Sequence, residues 1–243
     1  MKKKLTALLL IGIICLSLTA CGESSVRTSQ NDSSFEKKML NIVDEKTTGS
    51  DEETKDGEDG QLDIPDAVKN ISPEDDQALT GKLTEDSYTN EYFGLKLNMP
   101  EGGTIESIMD SGTDLMPLSE TYREGLGSII IQSQDSDGGG YVSMSVSALT
   151  SKEQGKDAEV LAMERLELEQ KINGALENTA ECSVETINIA GEEHPAYVEI
   201  TDSEEGRIKS AAIYIVKGDF RCCITVYTAE DRFEEMLSLI EKI

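Results

Sequence analysis

Acidic residues are concentrated ahead of residue 80, and this distribution limits where the chain can build a core. Residues 44–76 include thirteen acidic and three basic side chains. The wider region from 22 to 80 is rich in Ser, Thr, Asn and Gly and shows no sustained spacing of apolar residues. A segment of low hydrophobicity and high like charge buries too little apolar surface to offset the entropy lost on ordering. We therefore predict a disordered tether that ends near residue 80 and a folded domain after it.

The first 21 residues predict where the chain is delivered. Three lysines at positions 2–4 precede an almost unbroken apolar stretch from 5 to 18, and the small residues Thr19 and Ala20 precede Cys21. An apolar stretch of about fourteen residues is short for a membrane-spanning helix, which needs about twenty.

This pattern resembles a bacterial lipoprotein signal, in which the thiol of the cysteine takes a diacylglyceryl group and signal peptidase II cuts in front of it. A thiol is readily alkylated, and small residues give a protease access to the backbone. We predict cleavage between Ala20 and Cys21, lipid attachment at Cys21, and a membrane-anchored protein on the extracytoplasmic face. An ordinary secretory signal with a chance cysteine, or a short anchor, is the alternative.

Removing residues 1–20 changes the charge balance, because three of the 22 basic residues and none of the 48 acidic residues lie there. The remaining chain has 48 acidic and 19 basic residues, a formal net charge of −29. Such a chain is repelled by nucleic acid and by anionic lipid head groups. We expect no nucleic-acid partner, and contact with the lipid bilayer only through the diacylglyceryl group on Cys21. The aromatic content of 5% and the lack of Trp also count against ligand surfaces built from stacked rings.

Three cysteines follow Cys21 in the sequence: Cys182, Cys222 and Cys223. Adjacent residues of a strand point to opposite faces, so Cys222 and Cys223 are expected on different sides of a sheet. A single disulfide from Cys182 to either Cys222 or Cys223 is one alternative. We favour the other, in which all three cysteines are small buried hydrophobic residues. The sequence has no CxxC motif and no Cys and His spacing typical of zinc sites, so we expect no zinc.

From residue 81 the spacing of apolar residues becomes regular and predicts secondary structure. Alternation with a period of two predicts strands at residues 82–88, 93–99, 128–134, 141–148, 182–189, 194–201, 207–217 and 220–227. Helical spacing predicts a long helix at 157–176 and a second at the C terminus, whose apolar stripe comprises Phe233, Met236, Leu237, Ile240 and Ile243. We also expect a short helix near residues 105–109, and Thr228 with Asp231 as the cap of the last helix.

Short turns between successive strands favour an antiparallel meander. Because each long helix must bury its apolar stripe against the sheet, the pattern predicts an α+β domain built in layers. This domain would occupy residues 81–243, after a signal peptide at 1–20 and a lipidated acidic tether at 21–80.

The opening of the domain resembles that of the PsbP-like superfamily. The resemblance lies in the strings GKL at 81–83, YTNEYFGL at 88–95 and NMPEG at 98–102, and the terminal strand and helix at 220–243 are also similar. It implies an antiparallel sheet of about seven or eight strands sandwiched with two long helices in three layers. It also implies a role in binding or assembly, since members mostly act in that way and supply no catalytic residues to carry over.

Few residues have the pattern of a catalytic or metal site. The single histidine, His194, falls in a predicted hairpin turn, where an exposed polar residue needs no special role. No GxSxG elbow and no phosphate-binding glycine loop is present in the sequence. The string SQDSDG at 133–138 places oxygen ligands at positions 1, 3 and 5 of a calcium-type loop, but position 12 is Met144 instead of the required Glu. A glycine-rich hairpin turn explains the same residues, and we prefer it.

These observations favour a non-catalytic binding or assembly module held at the cell surface, whose partner is an unknown cell-envelope protein or small ligand. They predict no cofactor, no metal and no catalytic residue. The alternative is an extracytoplasmic hydrolase whose carboxylates cannot be singled out among 48 acidic residues. A deep pocket in which carboxylates converge would favour the hydrolase, and a shallow surface would favour the binding module.

Overall fold

The structure, a computed structural model, describes residues 64–109, 112–176, 180–204 and 206–243. The predicted signal peptide, the predicted lipidation site Cys21 and the predicted tether up to residue 63 lie outside the described residues. In chain order the elements are α1 Asp66–Lys69, α2 Pro73–Thr80, β1 Lys82–Leu83, β2 Ser87–Asn90, β3 Leu95–Asn98, β4 Thr104–Ser107, α3 Leu118–Arg123, β5 Ile129–Gln134, β6 Tyr141–Ala148, α4 Ala158–Leu176, β7 Glu181–Ile189, β8 Glu192–Ser203, β9 Gly206–Lys217, β10 Phe220–Ala229, a 3-10 turn at Glu230–Arg232, α5 Phe233–Leu237 and β11 Ile240–Lys242.

The sequence predicts that the folded domain starts at residue 81. In the structure it starts earlier. Helices α1 and α2 lie in what was expected to be tether. Val68 of α1 is 4% exposed and Leu79 of α2 is 0% exposed, and both belong to the main core. The prediction of a disordered tether is therefore wrong for residues 64–80, because their few apolar side chains are buried by the domain.

Seven antiparallel strands form the main sheet in the order β4-β5-β6-β10-β9-β8-β7. The predicted β5–β6 hairpin and the run of four strands from β7 to β10 are confirmed. The short helix predicted near residues 105–109 is wrong, since β4 lies there. Its backbone forms a ladder with β5, in which Ile105 stands opposite Ser133.

Four short strands form a second, small sheet in the order β1-β2-β3-β11. The single strand predicted at 82–88 is two strands, because the chain bends after β1. At this bend the Thr84 amide donates to the Ser87 carbonyl at 2.8 Å, and β1 folds back to pair with β2. Strand β11 comes from the end of the chain and pairs with β3, so that Ile240 stands opposite Leu97.

The main core lies between one face of the main sheet and a layer made of the small sheet and the short helices. Its fully buried side chains include Tyr88, Leu97, Leu118, Met144, Ile213 and Ile224. The Tyr88 hydroxyl donates to the Thr80 carbonyl at 3.0 Å and accepts from the Asn90 side-chain amide at 2.9 Å. This buried hydroxyl is therefore satisfied, and it ties α2 to the small sheet.

Helix α4 is the long helix that the sequence predicts, and it packs on β7, β8 and β9 on the other face of the main sheet. Leu161 of α4 belongs to the same buried cluster as Tyr197 and Tyr214 of the sheet. The Asp157 carboxylate accepts a hydrogen bond from the Val160 amide at 2.9 Å, which caps the first turn. Among the helices of the described residues, none is both long enough and apolar enough to cross a membrane.

The prediction of a second long helix at the C terminus is wrong. The 3-10 turn leads into α5, which has only five residues. Ile240 then enters the small sheet, and Ile243 is 54% exposed. The apolar stripe is thus divided between a short helix and a strand.

The fold is the predicted α+β arrangement of layers, with one long helix in place of two. The predicted cap of the last helix is also wrong. Thr228 lies within β10 and Asp231 within the 3-10 turn, so neither reaches the first turn of α5. Arg232 occupies the N-cap position, without a side-chain hydrogen bond to the helix.

Leu237 of α5 is 6% exposed and belongs to the main core. Replacing it with Ala removes apolar contacts and leaves a cavity, so Leu237→Ala should lower the free energy of unfolding by about 2–5 kcal/mol. Ile243→Ala, at the exposed end of the predicted stripe, is the matched control and should change it by less than about 0.5 kcal/mol. Urea denaturation of both variants measures the difference, and equal effects would mean that the Leu237 side chain is not in the core.

Candidate binding surface

His194 does not lie in the turn where the sequence places it. It is the third residue of β8 and stands opposite Ile187. The turn falls earlier, at Ala190 and Gly191, which both have positive φ angles, 52° and 87°. His194 is half-buried between the sheets, and burial lowers its pKa while the nearby Glu192 carboxylate opposes the shift.

The cavity beside His194 is too small to be a ligand site. Its volume of about 60 Å³ is well below about 300 Å³, the lower end of the range for small-molecule pockets. Glu192 at the cavity is engaged by Lys242, whose ammonium nitrogen lies 2.5 Å from the carboxylate. The single histidine therefore contributes to the packing between the two sheets.

A larger open groove of about 540 Å³ lies beside the first turn of α4. Its acidic residues are Asp157, Glu159, Glu185 and Glu193. Asp157 caps α4, and the Glu185 carboxylate lies 3.7 Å from the Lys209 ammonium. The other two side chains are exposed. This groove therefore offers solvated acids instead of the enclosed, converging carboxylates that would favour a hydrolase.

The calcium-like string at 133–138 comprises the last two residues of β5 and the first part of the β5–β6 turn, so it lies in the predicted hairpin. The Asp135 carboxylate lies 2.9 Å from the Arg232 guanidinium, so the acid at position 3 of the string is already neutralised. Asp137 accepts a hydrogen bond from the Gly139 amide at 2.9 Å. In the part of the chain that the structure describes, no group of three or more His, Cys, Asp or Glu side chains is placed to hold a metal ion.

The geometry rules out a disulfide from Cys182 to Cys222 or Cys223. Cys182 lies in β7 and the other two in β10, with β8 and β9 between them. Three strand spacings of about 4.8 Å separate the cysteines by roughly 14 Å or more, whereas a disulfide needs Cα atoms within about 7 Å. Cys222 lies in the main core and Cys223 on the opposite face, as the alternation predicts.

A polar cluster lies between α4 and the main sheet, around Cys182. Its sulfur lies 3.3 Å from the Tyr197 hydroxyl, which donates to the Glu199 carboxylate at 3.0 Å. On the helix, Glu169 forms a buried ion pair with Arg165. Burial raises the pKa of Glu169; Arg165 opposes this shift and the Glu199 carboxylate adds to it. Burial also raises the pKa of the Cys182 thiol, which keeps it protonated and weakly nucleophilic.

The raised pKa of Glu169 predicts a pH dependence of stability. When the native pKa of a carboxyl lies above its ordinary value, here 4.5, the native state takes up the proton at a higher pH than the unfolded state. Stability from this group therefore increases as the pH falls through the native pKa. The free energy of unfolding of the wild type, measured relative to that of Glu169→Gln, should increase as the pH is lowered from 7 to 5. Urea denaturation at both values tests this, and a difference between the two chains that does not change with pH would contradict it.

On the side of the main sheet that carries α4, the surface beyond the helix is polar in part. A row made of Ile130, Ser145, Cys223 and Tyr214 lies on this side and is largely apolar, and its Ile130 is 3% exposed. The strand registers align two other rows of side chains there, running across β4, β5, β6, β10 and β9. The first row is Thr104, Gln134, Tyr141, Tyr227 and Ser210, and the second row is Glu106, Gln132, Ser143, Thr225 and Ala212. We call these ten residues the polar face.

Uncharged polar side chains dominate the polar face. Eight of its ten residues have a hydroxyl or an amide, and Glu106 on the edge strand is its one charged member. In the chain as a whole, 29% of residues are charged. A sheet face that only meets water needs polar side chains of any kind and, in so acidic a chain, would be expected to include several charges. Two of the ten residues, Thr225 and Ala212, are buried, and Ala212 packs with Leu161 of α4. Six others are half-buried, which accounts for part of the scarcity of charge. These six all have uncharged side chains that can form hydrogen bonds.

The side chains of the polar face are ordered by contacts with each other. Tyr141 and Tyr227 stack across β6 and β10, with ring centroids 5.4 Å apart and an angle of 15° between the ring planes. The Gln132 side-chain amide donates to the Gln134 side-chain oxygen at 3.3 Å. These contacts reduce the side-chain entropy that a binding partner would have to remove.

Sequence reasoning missed the polar face because it followed only the apolar half of each alternating strand. In β6 it identified Val142, Met144 and Val146 as the buried positions, and the structure confirms them. The alternate residues of the same strand that belong to the polar face, Tyr141 and Ser143, are the available signal. Uncharged residues at alternate strand positions are unusual in a chain this acidic, but only the strand order shows that they align with residues of β5 and β10.

No protein-family model and no curated protein matches the chain, but solved structures do. Cyanobacterial PsbP (CyanoP) from Synechocystis sp. PCC 6803 is 13% identical over 77% of this chain and 98% of its own, with a TM-score of 0.37. A protein from Bacteroides thetaiotaomicron VPI-5482 is 12% identical over 66% of this chain and 49% of its own, with a TM-score of 0.32. LpqN, involved in cell envelope biogenesis of Mycobacterium tuberculosis, is 9% identical over 60% of this chain and 76% of its own, with a TM-score of 0.26. A PsbP-like protein is thus among the structures similar to this chain.

Proposed function

We propose that this protein is a non-catalytic binding module, anchored to the extracytoplasmic face of the cell membrane, that meets its partner through the polar face. The observation that supports this most is the alignment, across β5, β6, β10 and β9, of six half-buried side chains that are uncharged and can form hydrogen bonds, in a chain whose net charge is −26. Hydroxyls and amides held in fixed register can hydrogen-bond a partner at a modest cost in side-chain entropy.

The anchoring part of the proposal is supported by the sequence. Cleavage after Ala20 would leave Cys21 as the first residue, and a diacylglyceryl group on its thiol would supply two acyl chains. Two chains suffice for stable attachment, whereas one gives only marginal, reversible binding. The strongly acidic chain would itself be repelled by anionic lipid head groups, so the lipid would be its only contact with the bilayer.

The residues that line the cavity at His194 and the groove beside α4 support the non-catalytic part of the proposal. The cavity at His194 is small, and the acids of the groove beside α4 cap the helix, pair with Lys209 or face solvent. The purified mature chain should therefore not turn over esters, peptides, phosphoesters or glycosides. Sustained turnover that is lost on replacing one Asp or Glu, with the fold intact, would establish the hydrolase alternative instead.

Binding through the polar face is tested by sedimentation with isolated cell envelopes. The chain from residue 21, with Cys21→Ser so that no lipid can bind it to the membrane, should sediment with the envelopes. Ser143→Glu places an unpaired charge at the centre of the polar face and should weaken binding by at least about tenfold. Thr186→Glu, on the exposed edge strand β7, is the matched control and should bind as the wild type does. Equal binding by the two Glu variants would contradict the proposal.

A further inference from the structure

We infer that the partner of the polar face is an uncharged glycan chain. This inference deepens the proposed function and rests on it. It depends on three features of the polar face: the chemistry of its hydrogen-bonding groups, the stacked tyrosine pair and the scarcity of charge.

The hydrogen-bonding groups of the polar face match those of a sugar. Hydroxyls both donate and accept, and side-chain amides present both a donor and an acceptor. Sugar hydroxyls likewise do both, so either partner can rotate its protons to satisfy the other. The sheet spaces these groups about 4.8 Å apart across strands and about 6.8 Å apart along one strand. Such a flat grid suits an extended polymer better than a compact small molecule, which needs a concave pocket.

The tyrosine pair adds an aromatic surface to this grid. Tyr141 and Tyr227 are both half-buried and lie in the middle of the first row, between Gln134 and Ser210. Pyranose rings have apolar C–H faces that pack against aromatic rings. Because Tyr141 and Tyr227 stack on each other, each can offer only its outer face or its edge to such a sugar face. The chain as a whole has few aromatic residues, but two of them are in contact at this position.

The charge pattern favours a neutral polymer over an anionic one. No Lys or Arg belongs to the polar face, and Arg221 on the same side of the sheet is occupied by an ion pair with Glu153 and a hydrogen bond to Ser147. An anionic polymer would therefore meet a chain of net charge −26 without a cation at the contact. A neutral glycan faces no such repulsion.

A protein partner matches the polar face less well. Stable protein interfaces concentrate aromatic, Met and Arg side chains in a desolvated centre. The centre of the second row is instead the pair of hydroxyl residues Ser143 and Thr225, which stand opposite each other on β6 and β10. Ser143 is half-buried and its hydroxyl can bond to a sugar hydroxyl directly, whereas Thr225 is 8% exposed.

The test is calorimetric titration of the chain from residue 21, carrying Cys21→Ser, with defined oligosaccharides. The probes are the neutral N-acetylchitohexaose, cellohexaose and laminarihexaose, with an anionic oligogalacturonate of equal length as the comparison. At least one neutral probe should bind, and the anionic probe should not. Ser143→Glu and Gln132→Glu should each weaken that binding by at least about tenfold, whereas Thr186→Glu should leave it unchanged. Circular dichroism establishes that each variant is folded.

The outcomes separate this inference from the proposed function. If no neutral probe binds, while envelopes still bind the wild type and not Ser143→Glu, the polar face binds something other than an uncharged glycan. Preferential binding of the anionic probe, or neutral binding that survives both Glu variants, also overturns the inference. If envelopes do not bind the wild type either, the proposed function fails together with it.

Discussion

A chain that starts at Gly81 is expected to lose most of its folding free energy, although the sequence alone places the start of the domain there. The missing segment contributes Val68 and Leu79 to the main core. Burying a side chain of this kind contributes about 1.5–3 kcal/mol, and a whole domain is stable by only about 5–15 kcal/mol. Loss of α1 and α2 therefore removes a large part of the free energy that stabilises the folded domain.

The same deletion removes the hydrogen-bond partners of polar groups in α3. The Asp76 carboxylate accepts hydrogen bonds from the amide and the hydroxyl of Ser119, at 3.0 and 2.6 Å. The Thr80 hydroxyl accepts from the buried Leu118 amide at 3.0 Å. Each buried group left without a partner costs about 1–3 kcal/mol, which adds to the loss of apolar contacts.

Urea denaturation of two chains, one starting at Ile64 and one at Gly81, measures the effect. The chain from Ile64 should unfold cooperatively, and the chain from Gly81 should be less stable by more than about 5 kcal/mol or should not fold. Equal transition midpoints for the two chains would contradict the packing of α1 and α2 on the core.

Cys21→Ser should release the chain from membranes into the soluble fraction once residues 1–20 are removed. Each buried methylene of an acyl chain contributes about 0.8 kcal/mol, so loss of two chains removes essentially all membrane affinity. Cys182→Ser keeps the proposed lipid site and should remain in the membrane fraction. Fractionation of cells that express each variant, with mass spectrometry of the mature N terminus, gives the result. A Cys21→Ser protein that stays in the membrane after residues 1–20 are removed, or an unmodified Cys21 in the wild type, would contradict the proposed anchor.

Local periodicity predicted the parts of the fold whose partners are close in sequence. In β6 the alternation of Val142, Met144 and Val146 with serines survives intact in the structure, because the adjacent hairpin strand β5 buries one face. The long helix α4 was also predictable, since nineteen residues of helical spacing allow no other regular structure to bury the apolar stripe.

The C terminus could not be predicted in this way. Phe233, Met236, Leu237 and Ile240 are spaced as in one helix, and local spacing cannot show that Ile240 belongs to a strand. Its partner is Leu97 in β3, far away along the chain, and this distant pairing overrides the helical pattern.

The many acidic residues before residue 80 are the reason that the sequence prediction missed helix α2. Glu74, Asp75 and Asp76 contribute to the charge of the predicted tether, but they occupy the first turn of the helix. Negative side chains there interact favourably with the helix dipole, and the Ser72 hydroxyl accepts from the Asp75 amide at 3.1 Å as the cap. The same acids that suggested disorder therefore stabilise the start of a helix.

The candidate site was the least predictable part of the molecule. The polar face combines alternate residues of five strands, and its rows exist only once β10 is placed between β6 and β9. A low overall aromatic content does not exclude a local aromatic pair, since Tyr141 and Tyr227 are distant in sequence and adjacent in the sheet.

The central claim, that the protein acts by binding through the polar face, is tested most directly by oxidative footprinting of its tyrosines on isolated cell envelopes. With the Cys21→Ser chain bound, the oxidation of Tyr141 and Tyr227 should fall severalfold relative to the free chain. Tyr92 is also half-buried but lies outside the polar face, with its hydroxyl bonded to the Lys217 carbonyl at 3.1 Å, and its oxidation should not change. Protection of Tyr92 with unchanged oxidation of Tyr141 and Tyr227 would contradict the claim.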